Sequence, residues 1–184
     1  MIKAGLIGLG AMGRGHLDNF LRFIEEDSDI HLVAVCDTDP NKFKNYESVH
    51  NIKGVGVREY DFSMFNCYND IDEMLSAEEL DFVVVALPTF MHCEVTCKAL
   101  NHGINVLCEK PMALNAKQAE EMLEAAKRNG KLLMIGFVRR FGNDGAILQD
   151  LIDGDQFGEI YYAKATYLRR NGNPGGWFGD KARS

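Results

Sequence analysis

Apolar positions in this chain gather into five short runs, at residues 2–8, 30–36 (IHLVAVC), 82–87 (FVVVAL), 105–108 (NVLC) and 132–137 (LLMIGF). Runs of this length, rich in β-branched residues and lacking a polar face, predict strands covered on both sides, as in a parallel sheet. Between them apolar residues recur every three or four positions, which predicts helices over 12–24, 70–77, 91–102 and 115–129. The punctuation agrees: Pro88 ends the third run, Gly103 stops one helix, Asn115 and Gln118 approximate a capping box, and Asn129-Gly130 closes the helix they begin. Residues 41–50 read as a short helical segment after the Asp39-Pro40 turn. The polar stretch from there to Tyr68 carries no assignable pattern. Strands alternating with helices need crossover connections, so the fold class is α/β, a Rossmann-type doubly wound parallel sheet.

The pattern changes after Phe137. A helix is predicted over 144–152, followed by a long aromatic strand over 159–170 (EIYYAKATYLRR) with no partner after it. A lone strand leaves its backbone groups unsatisfied. Residues 1–137 therefore read as a Rossmann domain and 138–184 as the start of an α+β second domain that is truncated. The other reading takes the 184 residues as complete, a nucleotide-binding module whose segment 159–170 pairs with another chain.

Composition narrows the partners. With 46% hydrophobic and 26% charged residues the chain can bury a sizeable core, and a net charge of −7 disfavours nucleic acid, since the pairs Arg139-Arg140 and Arg169-Arg170 are small and isolated. No apolar run approaches the ~20 residues a membrane helix needs, and residues 1–9 enter a strand directly, without a secretory leader. A cytoplasmic location, with no membrane partner, is expected. Five cysteines, an odd number without scaffold spacing, are then expected to be reduced. Cys93 and Cys97, near His92 and His102, are either thiols buried on a helix facing the sheet or metal ligands; the former is preferred and no metal is expected.

The first strand runs into Gly8-Leu9-Gly10-Ala11-Met12-Gly13, which fits Gly-x-Gly-x-x-Gly between a strand and a helix. The first glycine permits the tight turn, the second lets the backbone approach a pyrophosphate, and the third lets helix and strand pack closely. The helix start, at Ala11 and Met12, then offers N–H groups and partial positive charge to the phosphates. Asp37 closes the second strand, about where an acidic residue accepts hydrogen bonds from the adenosine ribose; the alternative is a turn or cap aspartate. No cation follows it in Thr38-Asp39-Pro40, so NAD is favoured over NADP.

These elements, with Leu87-Pro88-Thr89 and His92, Glu109-Lys110-Pro111, and Gly136-Phe137-Val138-Arg139-Arg140-Phe141, occur in the order seen in the Gfo/Idh/MocA family, which the chain resembles over essentially its whole length. That family includes glucose-fructose oxidoreductase, inositol dehydrogenases and related sugar dehydrogenases. The resemblance implies that Lys110 lies beside the nicotinamide and hydrogen-bonds the substrate oxygen. A lysine near the cationic oxidised ring holds its proton less firmly, which suits proton transfer; read without the family, Lys110 is an ordinary surface lysine. It further implies that Leu87, Pro88, Thr89 and Glu109 border the cofactor. His92 either contacts the nicotinamide half or merely begins a helix. Arg139 approaches the cofactor and Arg140 the substrate, or both make surface ion pairs. Arg169 and Trp177 resemble the start of a second, substrate-holding domain, where Trp177 either stacks on a sugar or packs in a core.

The expected protein is thus an NAD-dependent dehydrogenase of a sugar, inositol or polyol CH–OH group, with a small-molecule substrate and, at full length, a homo-oligomer. The resemblance places the histidine paired with Lys110 beyond residue 184, in a protein nearly twice as long, so this chain alone is expected to bind NAD without turnover. A cofactor-binding sugar sensor is the alternative, since the family also holds non-catalytic regulators; the retained lysine favours the enzyme.

Overall fold

The computed structural model describes residues 1–44 and 59–168. Six strands, β1 (Ile2–Ile7), β2 (Ile30–Cys36), β3 (Asn66–Tyr68), β4 (Phe82–Val85), β5 (Asn105–Cys108) and β6 (Leu133–Ile135), form one parallel sheet in the order β3-β2-β1-β4-β5-β6. The described helices are α1 (Ala11–Glu25), α2 (Ile71–Ala77), α3 (Thr89–Asn101), α4 (Ala116–Asn129) and α5 (Asn143–Asp153). The connections from β1 lead to β2 on one side, while β4 pairs on the other, so a crevice opens between the carboxyl ends of β1 and β4 where such sheets receive ligands.

The strand alternation feeds two apolar layers. Leu6, Val35 and Val84 join Leu17 and Phe20 of α1 on one face, whereas Ile7, Ala34, Val83 and Val85 join α2, α3 and α4 on the other. Both faces of the central strands are dry, which is why their sequences lack a polar alternation. Leu17 and Phe20, both buried, each hold α1 to the sheet by roughly 1.5–3 kcal/mol of apolar burial. At α4, Asn115 Oδ1 accepts the Gln118 N–H at 3.0 Å and Gln118 Oε1 accepts that of Leu114 at 3.1 Å. Gly130 ends α4 in the left-handed conformation, φ 60°. The expected capping residues therefore act at both ends of this helix.

Several boundaries depart from the sequence reading. α3 begins at Thr89, directly after Pro88, because that proline's carbonyl accepts the Met91 N–H. The final strand is confined to Leu133–Ile135, the residues in register with β5, with one flanking backbone bond at each end, at Leu132 and Gly136. β3 went unread: it has three residues at the sheet edge, and its ladder comes from β2 alone. The strand expected over 159–170 is not formed at 159–168. Among the described residues no strand pairs with it, and Tyr161 and Leu168 are 95% and 88% exposed. The helical segment expected over 41–50 is a 3-10 turn at Pro40–Phe43, and residues 45–50 lie outside the described residues.

Candidate functional site

A cleft of about 400 Å³ runs along the carboxyl edge of the sheet. Its centre is the glycine turn. Gly8 has φ +96°, a region that side chains rarely adopt, and its N–H is donated to the Cys36 carbonyl at 2.8 Å. A Cβ on Gly13 would overlap the Gly8 carbonyl, so only glycine lets α1 lie this close to the turn. Around Gly10 the situation is the reverse: a Cβ there would meet nothing within 4 Å. The first helical bond of α1 runs from the Arg14 N–H to the Gly10 carbonyl, leaving the earlier N–H groups as the donors that a helix start directs outward. Gly10, Ala11 and Met12 line the cleft. An open cradle with helix-start donors fits a dinucleotide pyrophosphate.

At one end stands Asp37. Its Oδ2 accepts the Leu9 N–H at 2.8 Å and its Oδ1 that of Asp39 at 3.0 Å, so the carboxylate ties the end of β2 to the glycine turn. Each oxygen keeps a second acceptor direction, so bracing the turn does not exhaust the carboxylate. Thr38 and Lys42 complete this end. Lys42 was missed in the sequence because it lies beyond Asp39-Pro40. Arg14 fixes its turn, donating to the carbonyls of Lys42 and Lys44 at 2.7 and 3.3 Å. Cys36 lies in the floor, where burial, and then the Asp37 charge, push its thiol up to about 12.

At the other end, β5 delivers Glu109, Lys110 and Pro111 into the cleft opposite Leu87, Pro88 and Thr89. Lys110 is exposed and joined to Pro111 by a cis peptide bond. The Glu109 carboxylate is buried, and the His16 imidazole hydrogen-bonded to it holds it below its ordinary range against the opposing effect of burial. Lys110 also borders a second hollow, with Gly136, Phe137, Val138, Arg139 and Arg140. Both arginines stand exposed on the 3-10 turn Val138–Phe141, at the rim of that hollow.

His92 does not line the cleft. Its buried ring lies against two carbonyls, Nδ1 2.8 Å from Pro111 and Nε2 2.9 Å from Leu87, so it joins the two loops that form the cleft wall from beneath. Cys93 faces α4, its Sγ 3.5 Å from the Gln118 carbonyl and 3.6 Å from Glu121, with a thiol raised to about 12 mainly by burial. Arg169 and Trp177 lie outside the described residues. His16 had not been singled out, although its place one turn after Gly13 puts it on the same side of α1.

Residues 2–137 match a family model, GFO_IDH_MocA, described as an oxidoreductase family with an NAD-binding Rossmann fold. The chain is 36% identical over 148 residues to the D-glucoside 3-dehydrogenase of Escherichia coli, covering 80% of this chain and 39% of that protein. It is 33% identical over 134 residues to an NADP(+) scyllo-inositol 2-dehydrogenase of Bacillus subtilis, covering 73% and 36%. The crystal structure of scyllo-inositol dehydrogenase from Lactobacillus casei with bound NAD(H) and scyllo-inositol superposes with a TM-score of 0.70 at 25% identity, covering 87% of this chain and 43% of that one. The chain thus spans about two fifths of the length of these relatives. Among the described residues no helix is long and apolar enough to cross a membrane.

Proposed function

The chain belongs to the Gfo/Idh/MocA family of NAD-binding Rossmann oxidoreductases, and from that premise we propose that it forms the cofactor side of an NAD-dependent dehydrogenase acting on a CH–OH group of a sugar, inositol or related polyol. The observation that carries this reading is the single cleft in which the Gly10 cradle lies between Asp37 at one end and Lys110 at the other. The α1 start binds the pyrophosphate through its N–H groups, and Asp37 accepts the adenosine ribose hydroxyls while repelling a 2′-phosphate. Leu87, Pro88, Thr89 and Glu109 border the nicotinamide half. His92 acts on it through the Leu87 and Pro111 carbonyls.

When bound, the nicotinamide supplies an acceptor for the hydrogen and electron pair that leave the substrate carbon. Lys110 acts from this side: Nζ hydrogen-bonds the substrate hydroxyl oxygen, polarises it and assists loss of its proton as the carbonyl forms. The substrate approaches through the hollow shared by Lys110, Arg139 and Arg140, with Arg139 nearer the cofactor. Arg169 and Trp177 extend the substrate side.

Calorimetric titration of the chain with NAD+ and NADP+ tests the reading. NAD+ is expected to bind the more tightly. Preference for NADP+ would overturn the role of Asp37, and failure to bind either would overturn the cleft assignment.

A further inference from the structure

Helix α1 carries a side chain that reaches the far end of the cleft. His16 Nε2 lies 2.9 Å from Glu109 Oε1, and because an ionised carboxylate only accepts, Nε2 bears the proton in this bond. Both side chains are largely withdrawn from water, 18% and 6% exposed. The second oxygen, Oε2, accepts the Lys110 backbone N–H at 3.2 Å, and the Glu109 N–H is donated to the Val85 carbonyl. The carboxylate also packs against the backbone at Gly136, where an added Cβ would stand 3.4–3.5 Å from it, in ordinary van der Waals contact. The two carboxylate oxygens of Glu109 are thus held by the Lys110 backbone on one and by His16 on the other.

We propose that His16 is a positioning residue for the nicotinamide end of the site. By keeping Glu109 ionised and in place it fixes the backbone of Lys110, and it holds a negative charge on the cleft wall where the cationic ring of the oxidised cofactor lies. The helix that receives the pyrophosphate therefore also sets the catalytic loop. This rests on the NAD reading above. A pair that merely braced α1 against the sheet would instead weaken every ligand of the cleft alike, because stability alone carries no preference for one half of the dinucleotide.

The test compares NAD+ with ADP-ribose, which lacks only the nicotinamide, on the full chain and on His16→Ala, His16→Asn and His16→Gln. The glutamine amide nitrogen reaches about as far as Nε2, whereas the asparagine amide stops near the position of Nδ1. His16→Ala and His16→Asn are expected to weaken NAD+ about tenfold relative to ADP-ribose, the size of a lost hydrogen bond to a charged group. His16→Gln is expected to restore the ratio to within about threefold. Equal weakening of both ligands, an unchanged NAD+ affinity, or rescue by asparagine as good as by glutamine would overturn the proposal. If His16→Ala does not fold, the glutamine and asparagine variants decide by the same ratio. An unaltered chain that binds ADP-ribose but not NAD+, or neither, would instead overturn the reading on which the proposal rests.

Discussion

Gly10 and Gly13 separate binding from stability within three residues of one motif. At Gly13 the added methyl of Gly13→Ala would overlap the Gly8 carbonyl, with Gly8 C 2.8 Å away. Both atoms are backbone, so relief comes only by moving α1 off the turn, an overpacking cost of about 1–3 kcal/mol. For a chain of this size that lowers Tm by about 2–12 °C. At Gly10 the methyl meets nothing within 4 Å and φ is −70°, open to alanine. The loss of a favourable N-cap residue there costs less than about 1 kcal/mol. That same methyl occupies the cradle, however, and breaks a charged contact between pyrophosphate and backbone N–H worth roughly 1.5–3 kcal/mol. Gly10→Ala is therefore expected to weaken NAD+ by about 10- to 150-fold with Tm nearly unchanged, measured by titration calorimetry beside thermal melts. An affinity within about threefold of the parent would refute the cradle, and a parental Tm in Gly13→Ala would refute the close approach.

Asp37→Ser is expected to raise the affinity for NADP+ relative to NAD+ by about tenfold, read from the same titrations. Glu109 has a folded-state pKa lowered by its bond to His16, so its contribution is complete above the unfolded carboxyl value and disappears as pH falls through the lower, folded one. Urea melts of Glu109→Gln should accordingly lose stability at neutral pH and show a shallower acid decline than the parent. Iodoacetamide at pH 8 is expected to modify exposed Cys67 well before buried Cys36, Cys93 and Cys108, whose thiols are raised to about 12, 12 and 11; mass spectrometry of the labelled peptides reads the order. Gly130→Ala is expected to cost about 1–2 kcal/mol in chemical denaturation, because φ is +60° and the space around it is open, so the penalty is that of the left-handed backbone alone.

The central strands were legible because burial on both faces writes itself into composition. Ile7 and Leu6 point to opposite layers and both are apolar, as are Val83, Val84 and Val85. The glycine turn was legible for a related reason: the constraint at Gly8 and Gly13 is local, and no other residue satisfies it. The edges were harder. Asn66, Cys67 and Tyr68 make a strand only because β2 offers its ladder. Residues 159–168 have the composition of a strand, but among the described residues no strand pairs with them. β-propensity describes fit to a sheet that must already be present.

The same distinction governs cofactor choice. Thr38-Asp39-Pro40 places no cation beside Asp37 in the sequence, and on that basis the site favours NAD. The fold reaches further: Asp39 Oδ1 accepts the Asn41 N–H at 3.0 Å and starts a 3-10 turn, Arg14 holds the carbonyl of Lys42 at 2.7 Å, and Lys42 comes to line the cleft with Asp37. Arg14 is itself fixed over the Tyr60 ring at 5.0 Å. A carboxylate and an ammonium thus occupy one end of one cleft; in the proposed reading the first favours a free 2′-hydroxyl, and the second has the charge that suits a 2′-phosphate. Asp37 is bonded to the glycine turn through the Leu9 N–H, and Lys42 lines the same end of the cleft from the turn that Arg14 holds. One relative at 33% identity is an NADP(+) enzyme, and in the proposed reading the balance of these two opposite charges at one end of the cleft is where one fold can be turned from one cofactor to the other.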